Sequence, residues 1–112
     1  MSQKLAYFNC LGGASGDMIL GAMVDVGLKP EFFNSIVKSL KLDNVVISAS
    51  KDYRHGVIGT KIHIELNEQE KKRFKIKDFL YKLEHSDLSD GIIKISQGIL
   101  ESIGEAESKV HN

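Results

Sequence analysis

Apolar and polar residues along this chain follow two periods, and each change of period marks a new element. Residues 4–9 alternate weakly, with Leu5 and Tyr7 opposed to Ala6 and Phe8. Such a stretch, apolar on both faces, predicts a short strand placed centrally in a sheet. From Ser15 or Gly16 the period lengthens: Ile19, Ala22, Met23 and Val26 share one side and Leu20 and Val24 another, which predicts a largely buried helix ended by Gly27. Gly21 in its middle costs about 1 kcal/mol relative to alanine, and a close packing contact is the expected reason for it. Pro30 opens the next helix, where Phe33, Ile36, Val37 and Leu40 oppose Asn34, Ser35, Lys38 and Lys41.

A period of two then returns. Val45, Ile47, Ala49 and Tyr53 fall on one face, and Ile58, Thr60, Ile62, Ile64 and Leu66 alternate with Gly59, Lys61, His63 and Glu65. This predicts an antiparallel hairpin with one wet face and its turn within residues 54–59. The polar run 67–73 reads as a solvated loop or frayed helix start. Ile76, Phe79, Leu80 and Leu83 predict an amphipathic helix, and Ser86 or Ser89 caps the long one after it. In that last helix Ile92, Ile95, Ile99, Ile103, Ala106 and Val110 form a stripe, weakened locally by Gly98 and Gly104. The order strand, two helices, hairpin, two helices predicts an α+β fold: a three-stranded, mainly antiparallel sheet with helices packed mainly on one face, in a single domain over residues 1–112. Its final helix, without a glycine or proline stop, suits either a terminal helix or an interrupted reading frame.

Composition narrows the partners more than the chemistry. With 112 residues, 42% hydrophobic and 27% charged, the chain supports one core and no low-complexity segment. Fifteen basic and fifteen acidic side chains cancel, so nothing argues for nucleic acid or an anionic membrane as a partner. No apolar run approaches the roughly 20 residues that span a bilayer. One cysteine makes no internal disulfide, and with no apolar leader at the start the expected location is the cytoplasm.

Candidate chemistry concentrates in Asn9–Met18, Asn-Cys-Leu-Gly-Gly-Ala-Ser-Gly-Asp-Met, at the predicted strand-to-helix junction. Gly12, Gly13 and Gly16 permit the backbone turns that aim several N–H groups at one ligand. Ser15 is a favourable N-cap for a helix whose positive end attracts phosphate or carboxylate. Cys10 and Asp17 add one soft and one hard metal ligand. The same residues also write an ordinary tight connection into a helix, and neither dinucleotide nor P-loop spacing is present. No His-x-x-x-His or Cys-x-x-Cys spacing occurs, and His55, His63 and His85 read as surface residues, His85 at a helix end.

The run Tyr7 to Gly27 resembles the opening of the LarC family of nickel-insertion proteins. Arg54-His55-Gly56-Val57-Ile58-Gly59-Thr60-Lys61 is similar to that family's Gly-Ile-Ser-Gly-Thr hairpin, and Glu105 to His111 to its Ala-Glu-Ala-Lys-Val-His-Gly. The resemblance implies the N-terminal module of a CTP-dependent, lyase-type nickel chelatase. Such a protein places nickel into a pyridinium bisthiocarboxylic acid mononucleotide and so makes the nickel-pincer nucleotide of lactate racemase. It implies a nucleotide site at Gly12, Gly13, Ser15, Gly16 and Asp17, metal contacts at Cys10, Asp17 and His111, and CTP bound with a divalent cation. Catalytic residues are not assigned.

Departures from the family pattern shape the expectation. Asn9 stands where the family begins its motif with aspartate, and residues 69–75 lack the histidine-rich stretch of many relatives. Family chains continue past Lys-Val-His into a His-Glu-rich segment and a CTP-binding C-terminal domain, neither of which these residues include. The expected partners are therefore that C-terminal half and the mononucleotide precursor, with a homo-oligomer as a further arrangement. Two other classes remain open: a non-catalytic oligomerisation or partner-docking domain using the isoleucine stripe, and an anion or nucleotide sensor using the glycine loop.

Overall fold

The structure, a computed structural model, describes residues 3–66 and 75–110. Its elements run α1 (Gly16–Asp25), α2 (Pro30–Ser39), β1 (Val45–Arg54), β2 (Val57–Leu66), α3 (Ile76–Glu84) and α4 (Asp90–Val110). Contacts divide the chain into two compact units, Met1–Leu28 with Ser48–His63, and Lys29–Ile47 with Ile64–Asn112. The fold is α+β as expected, but the described sheet has two strands, β1 and β2, and not three. The missing strand is the one expected at residues 4–9. Leu5 and Tyr7 are 94% and 88% exposed there. Alternation makes a strand only where a neighbouring backbone accepts its ladder, and among the described residues β1 and β2 pair with each other alone. The expected loop of residues 67–73 lies outside the described residues.

In the first unit α1 meets the hairpin through Gly21. A Cβ placed there would lie 2.7 Å from the Thr60 carbonyl oxygen, so only glycine lets helix and strand approach this closely. That contact also selects the inward face of α1. Ile19, Leu20 and Val24 are partly covered beside buried Gly21, whereas Ala22, Met23 and Val26 are exposed. The expected largely buried helix is thus a surface helix resting on one narrow side. It ends in a Schellman motif, with Gly27 at φ +121° and Leu28 N–H donating to the Met23 carbonyl at 3.0 Å. The hairpin closes on His55-Gly56, both at positive φ (51° and 79°), a two-residue turn inside the predicted span. Ile62, 7% exposed, is the covered centre of its strand, while Ile58, Ile64 and Leu66 on the same face stay exposed.

In the second unit α2 starts at Pro30 and buries Phe33 and Val37, as its pattern predicts. It ends in a second Schellman motif, with Lys41 taking the left-handed conformation (φ 55°) and Leu42 N–H bonding to Val37 O at 3.1 Å. Asn34, expected on the polar face, instead reaches β1. Its Nδ2 donates to Ile47 O at 2.7 Å and its Oδ1 accepts Ile47 N–H at 2.9 Å. A two-residue turn at 55–56 pairs Arg54 with Val57 and leaves the backbone groups of Ile47 pointing away from β2. The Asn34 amide therefore satisfies an otherwise open stretch of sheet edge.

Helix α3 begins with the Asp78 carboxylate accepting Lys75 N–H at 2.8 Å and buries Leu83. At its end His85 donates Nδ1–H to Tyr81 O at 2.9 Å and stacks on the Tyr81 ring, in keeping with its expected terminal position. Ser89, not Ser86, caps α4, taking Ile92 N–H on its hydroxyl and Ile93 N–H on its carbonyl. Helix α4 packs on α3 with Ile93, Ser96, Gln97, Leu100 and Gly104 turned inward. Gly104 is a contact point: a Cβ there would sit 3.3 Å from Ile76 Cδ1. The stripe of Ile92, Ile95, Ile99, Ile103, Ala106 and Val110 faces outward along its whole length.

Candidate functional site

Within the first unit an open cleft of about 460 Å³ lies between the start of α1 and the hairpin. Ser15, Asp17 and Met18 line one side. Asp52, Arg54 and the run from Val57 to Ile62 line the other. The end of the loop motif, Ser15, Asp17 and Met18, therefore faces the Arg54–Lys61 hairpin across one space. Met18, Val57, Ile58 and Ile62 supply apolar floor; Lys61 and Arg54 stand against the carboxylates of Asp17 and Asp52, with Arg54 Nε 3.4 Å from Asp52 Oδ2, so the charged lining is balanced and the first turn of α1 adds a partial positive charge. This combination suits a small ligand with a flat apolar part and polar groups of both kinds, an anionic one toward Lys61 and the helix start and a donor toward Asp17.

The loop leading in is built by local hydrogen bonds. Gly13 N–H donates to Cys10 O at 3.1 Å, closing a turn in which Gly13 sits at φ +111°, a conformation that requires glycine. Leu11 N–H reaches Asn9 Oδ1 at 3.4 Å, a role that an amide or a carboxylate oxygen fills equally. Gly12 and Gly16 are in neither situation: neither has positive φ, and an added Cβ would meet nothing within 4 Å. Of the expected cradle, then, Gly13 alone is demanded by the backbone.

Ser15 occupies the N-cap position in extended conformation, but its side chain makes no capping bond. Its hydroxyl donates to Asp17 Oδ1 at 2.5 Å, and the same oxygen accepts Met18 N–H at 3.0 Å. The Ser15 hydrogen bond, with that backbone N–H and the Lys61 charge adding to it, holds the Asp17 carboxyl below the usual carboxylate range. Asp17 is thus ionised, solvent-facing and fixed in direction, suited to a cation or to a ligand N–H or O–H.

Cys10 is an exposed free thiol, its Sγ 3.9 Å from Phe8 O. It and the three glycines stand outside the cleft lining, so the expected residues divide: Ser15 and Asp17 meet the hairpin and Cys10 does not. His111 lies outside the described residues. Among the described residues no group of three or more His, Cys, Asp or Glu side chains comes together to hold a metal ion. His63 Nε2 lies 2.7 Å from the Ser50 hydroxyl on the hairpin. Lys61, Arg54 and Asp52 are the cleft residues that pattern reading passed over. The signal for Lys61 and Arg54 was the motif run 54–61, read as a hairpin similar to the family's and given no site residues; Asp52 lies before it.

Asp25 ties α1 to the hairpin beside the cleft. Thr60 Oγ1 donates to Asp25 Oδ1 at 2.8 Å and Lys51 Nζ lies 3.4 Å from the same oxygen; the Thr60 bond first, then Lys51, lower the Asp25 pKa. A carboxylate depressed in the folded state stabilises the fold above its unfolded pKa, and that contribution fades as pH falls through the folded value. Thr60→Val is therefore expected to lower the melting temperature at neutral pH. Melting curves from pH 7 to about pH 3 should show the gap to wild type closing through the carboxylate range; a constant gap would remove Asp25 from the account.

Comparison with known proteins decides what kind of protein carries this cleft. The family described as nickel insertion protein matches residues 6–112. The chain belongs to that family. A Dictyoglomus thermophilum relative, provisionally named a nickel insertion protein, is 34% identical over 109 residues, covering 97% of this chain and 28% of that relative. The pyridinium-3,5-bisthiocarboxylic acid mononucleotide nickel insertion protein of Staphylococcus epidermidis is 33% identical over 108 residues, covering 96% of this chain and 27% of its own length. The protein of the same name from Acetivibrio thermocellus is 31% identical over 117 residues, covering 97% and 29%. This nickel insertion family member thus spans somewhat over a quarter of the length of the curated relatives it matches. No solved structure matches it significantly. No helix among the described residues is long and apolar enough to cross a membrane.

Proposed function

We propose that this chain is the part of a nickel insertion protein that holds the pyridinium-3,5-bisthiocarboxylic acid mononucleotide while nickel is placed between its sulfur atoms. The observation carrying this reading is the match, over 96% of the chain, to a relative named for that substrate. The cleft agrees in character. Its lysine and helix start suit the phosphate of a mononucleotide, and Met18 with Ile58 suits a flat pyridinium ring. Asp17 orients the ribose or ring substituents, and Cys10, on the loop leading to the cleft, contacts nickel as cargo, with His111 a further nickel contact in its own part of the chain. The reaction consumes CTP with a divalent cation, and its product is the nickel-pincer nucleotide used by lactate racemase. The CTP-binding part is the C-terminal region represented in the additional length of the relatives, and the reaction takes place in the cytoplasm.

Reconstitution tests the proposal. The chain is combined with the complementary part of a longer relative, CTP, magnesium, nickel and the mononucleotide, and nickel in the mononucleotide is read by mass spectrometry. Wild type should support insertion, and the Cys10→Ala, Asp17→Ala double variant should lower it at least about tenfold, the loss of one charge-assisted contact. Full insertion by the double variant would overturn the assignment of these residues.

A further inference from the structure

We propose that α4 is a dimerisation helix, pairing antiparallel with α4 of a second copy of this chain. The inference does not rest on the nickel reading. At 100° per residue the outward stripe Ile92, Ile95, Ile99, Ile103, Ala106, Val110 spans only about 80° of the helix circumference and is centred roughly 110° around the helix from the side that packs on α3. Ile95 is 68% and Val110 78% exposed, and no residue of the 21-residue helix is buried. Each position recurs after eleven residues: Ile92 with Ile103, Ile95 with Ala106, Ile99 with Val110. Eleven residues make three turns, so the stripe runs along the helix without winding off the face.

The stripe is also its own complement. Turned end for end about residue 101, Ile92 meets Val110 of the second copy and Ile99 meets Ile103, while Ile95 meets Ala106 to within one residue, large against small. An isologous two-fold interface requires this kind of self-matching. Charge selects the same direction. Glu101, Glu105 and Glu107 crowd the C-terminal half against Lys109, and the N-terminal half carries Asp90 and Lys94. Antiparallel pairing parts the two acidic halves and opposes the helix dipoles; parallel pairing stacks like on like. The exposed branched side chains of two stripes amount to roughly 1,000 Å², about the least that a specific interface buries.

Sedimentation velocity on the chain at roughly 100 μM, where micromolar affinity gives nearly full association, should show a dimer. Ile99→Glu should raise the dissociation constant at least about 100-fold by placing a charge in the apolar seam, with helix content by circular dichroism unchanged. A monomeric wild type, as expected if another polypeptide covers the stripe, overturns the proposal, and so does an Ile99→Glu dimer as tight as wild type. Direction is read in a Cys10→Ser background with oxidised glutathione. Mixed Ile92→Cys and Val110→Cys chains should cross-link to each other, and disulfides within each variant alone would overturn the antiparallel arrangement.

Discussion

Gly21→Ala is expected to destabilise the protein although alanine is the better helix former. The added methyl falls 2.7 Å from the Thr60 carbonyl oxygen, a backbone atom of β2 that has no rotamer by which to move aside. Overpacking of this kind costs about 1–3 kcal/mol, against about 1 kcal/mol gained in helix propensity. The net is a loss of up to about 2 kcal/mol, a melting temperature lower by up to about 10 °C for a domain of this size. Gly98→Ala is the matched comparison, since its Cβ would meet nothing within 4 Å in the interior of α4. Its melting temperature should rise. Equal shifts in the two variants would mean that α1 does not touch the hairpin at Gly21.

Asn34→Ala carries the other large effect. Both backbone groups of Ile47 lose their side-chain partner at once, at a position where the isoleucine itself is buried. Leaving a buried donor or acceptor unmet costs about 1–3 kcal/mol each, and because both bonds are part-buried the lower part of the sum, about 2–4 kcal/mol, is expected in urea unfolding. Hydrogen exchange gives the specific readout. The Ile47 amide should exchange far faster in the variant under native conditions, beyond the change that global destabilisation imposes on its neighbours. An unchanged Ile47 amide would place the stabilising contact elsewhere.

What was legible in the sequence follows from how local each determinant is. Pro30, the period of α2, the alternation of β2 and the glycine at position 27 act through their own neighbours, and those elements formed where the pattern put them. Gly21 announced a close contact because nothing local favours glycine inside a helix. The errors came where a second element decides. Residues 4–9 alternate like a strand but no described neighbour pairs with them. Both α1 and α4 carry apolar residues on two sides, and the side turned inward was set by Gly21 against Thr60 and by Gly104 against Ile76. Asn34 looked like a surface residue because its partner is thirteen positions away in sequence. Half of the site was legible for the same reason: the loop is a local motif, whereas the approach of Lys61 and Arg54 to Asp17 depends on how helix and hairpin dock.

The most direct test of the central claim is a calorimetric titration of the chain with nicotinic acid mononucleotide, a pyridinium mononucleotide lacking the sulfur groups. The account predicts saturable binding to wild type that weakens about tenfold or more in Lys61→Ala, through loss of a phosphate contact, and also weakens in Asp17→Ala, with both variants folded. No binding to the wild-type chain, or binding unchanged in both variants, would contradict the assignment of the cleft as the mononucleotide site.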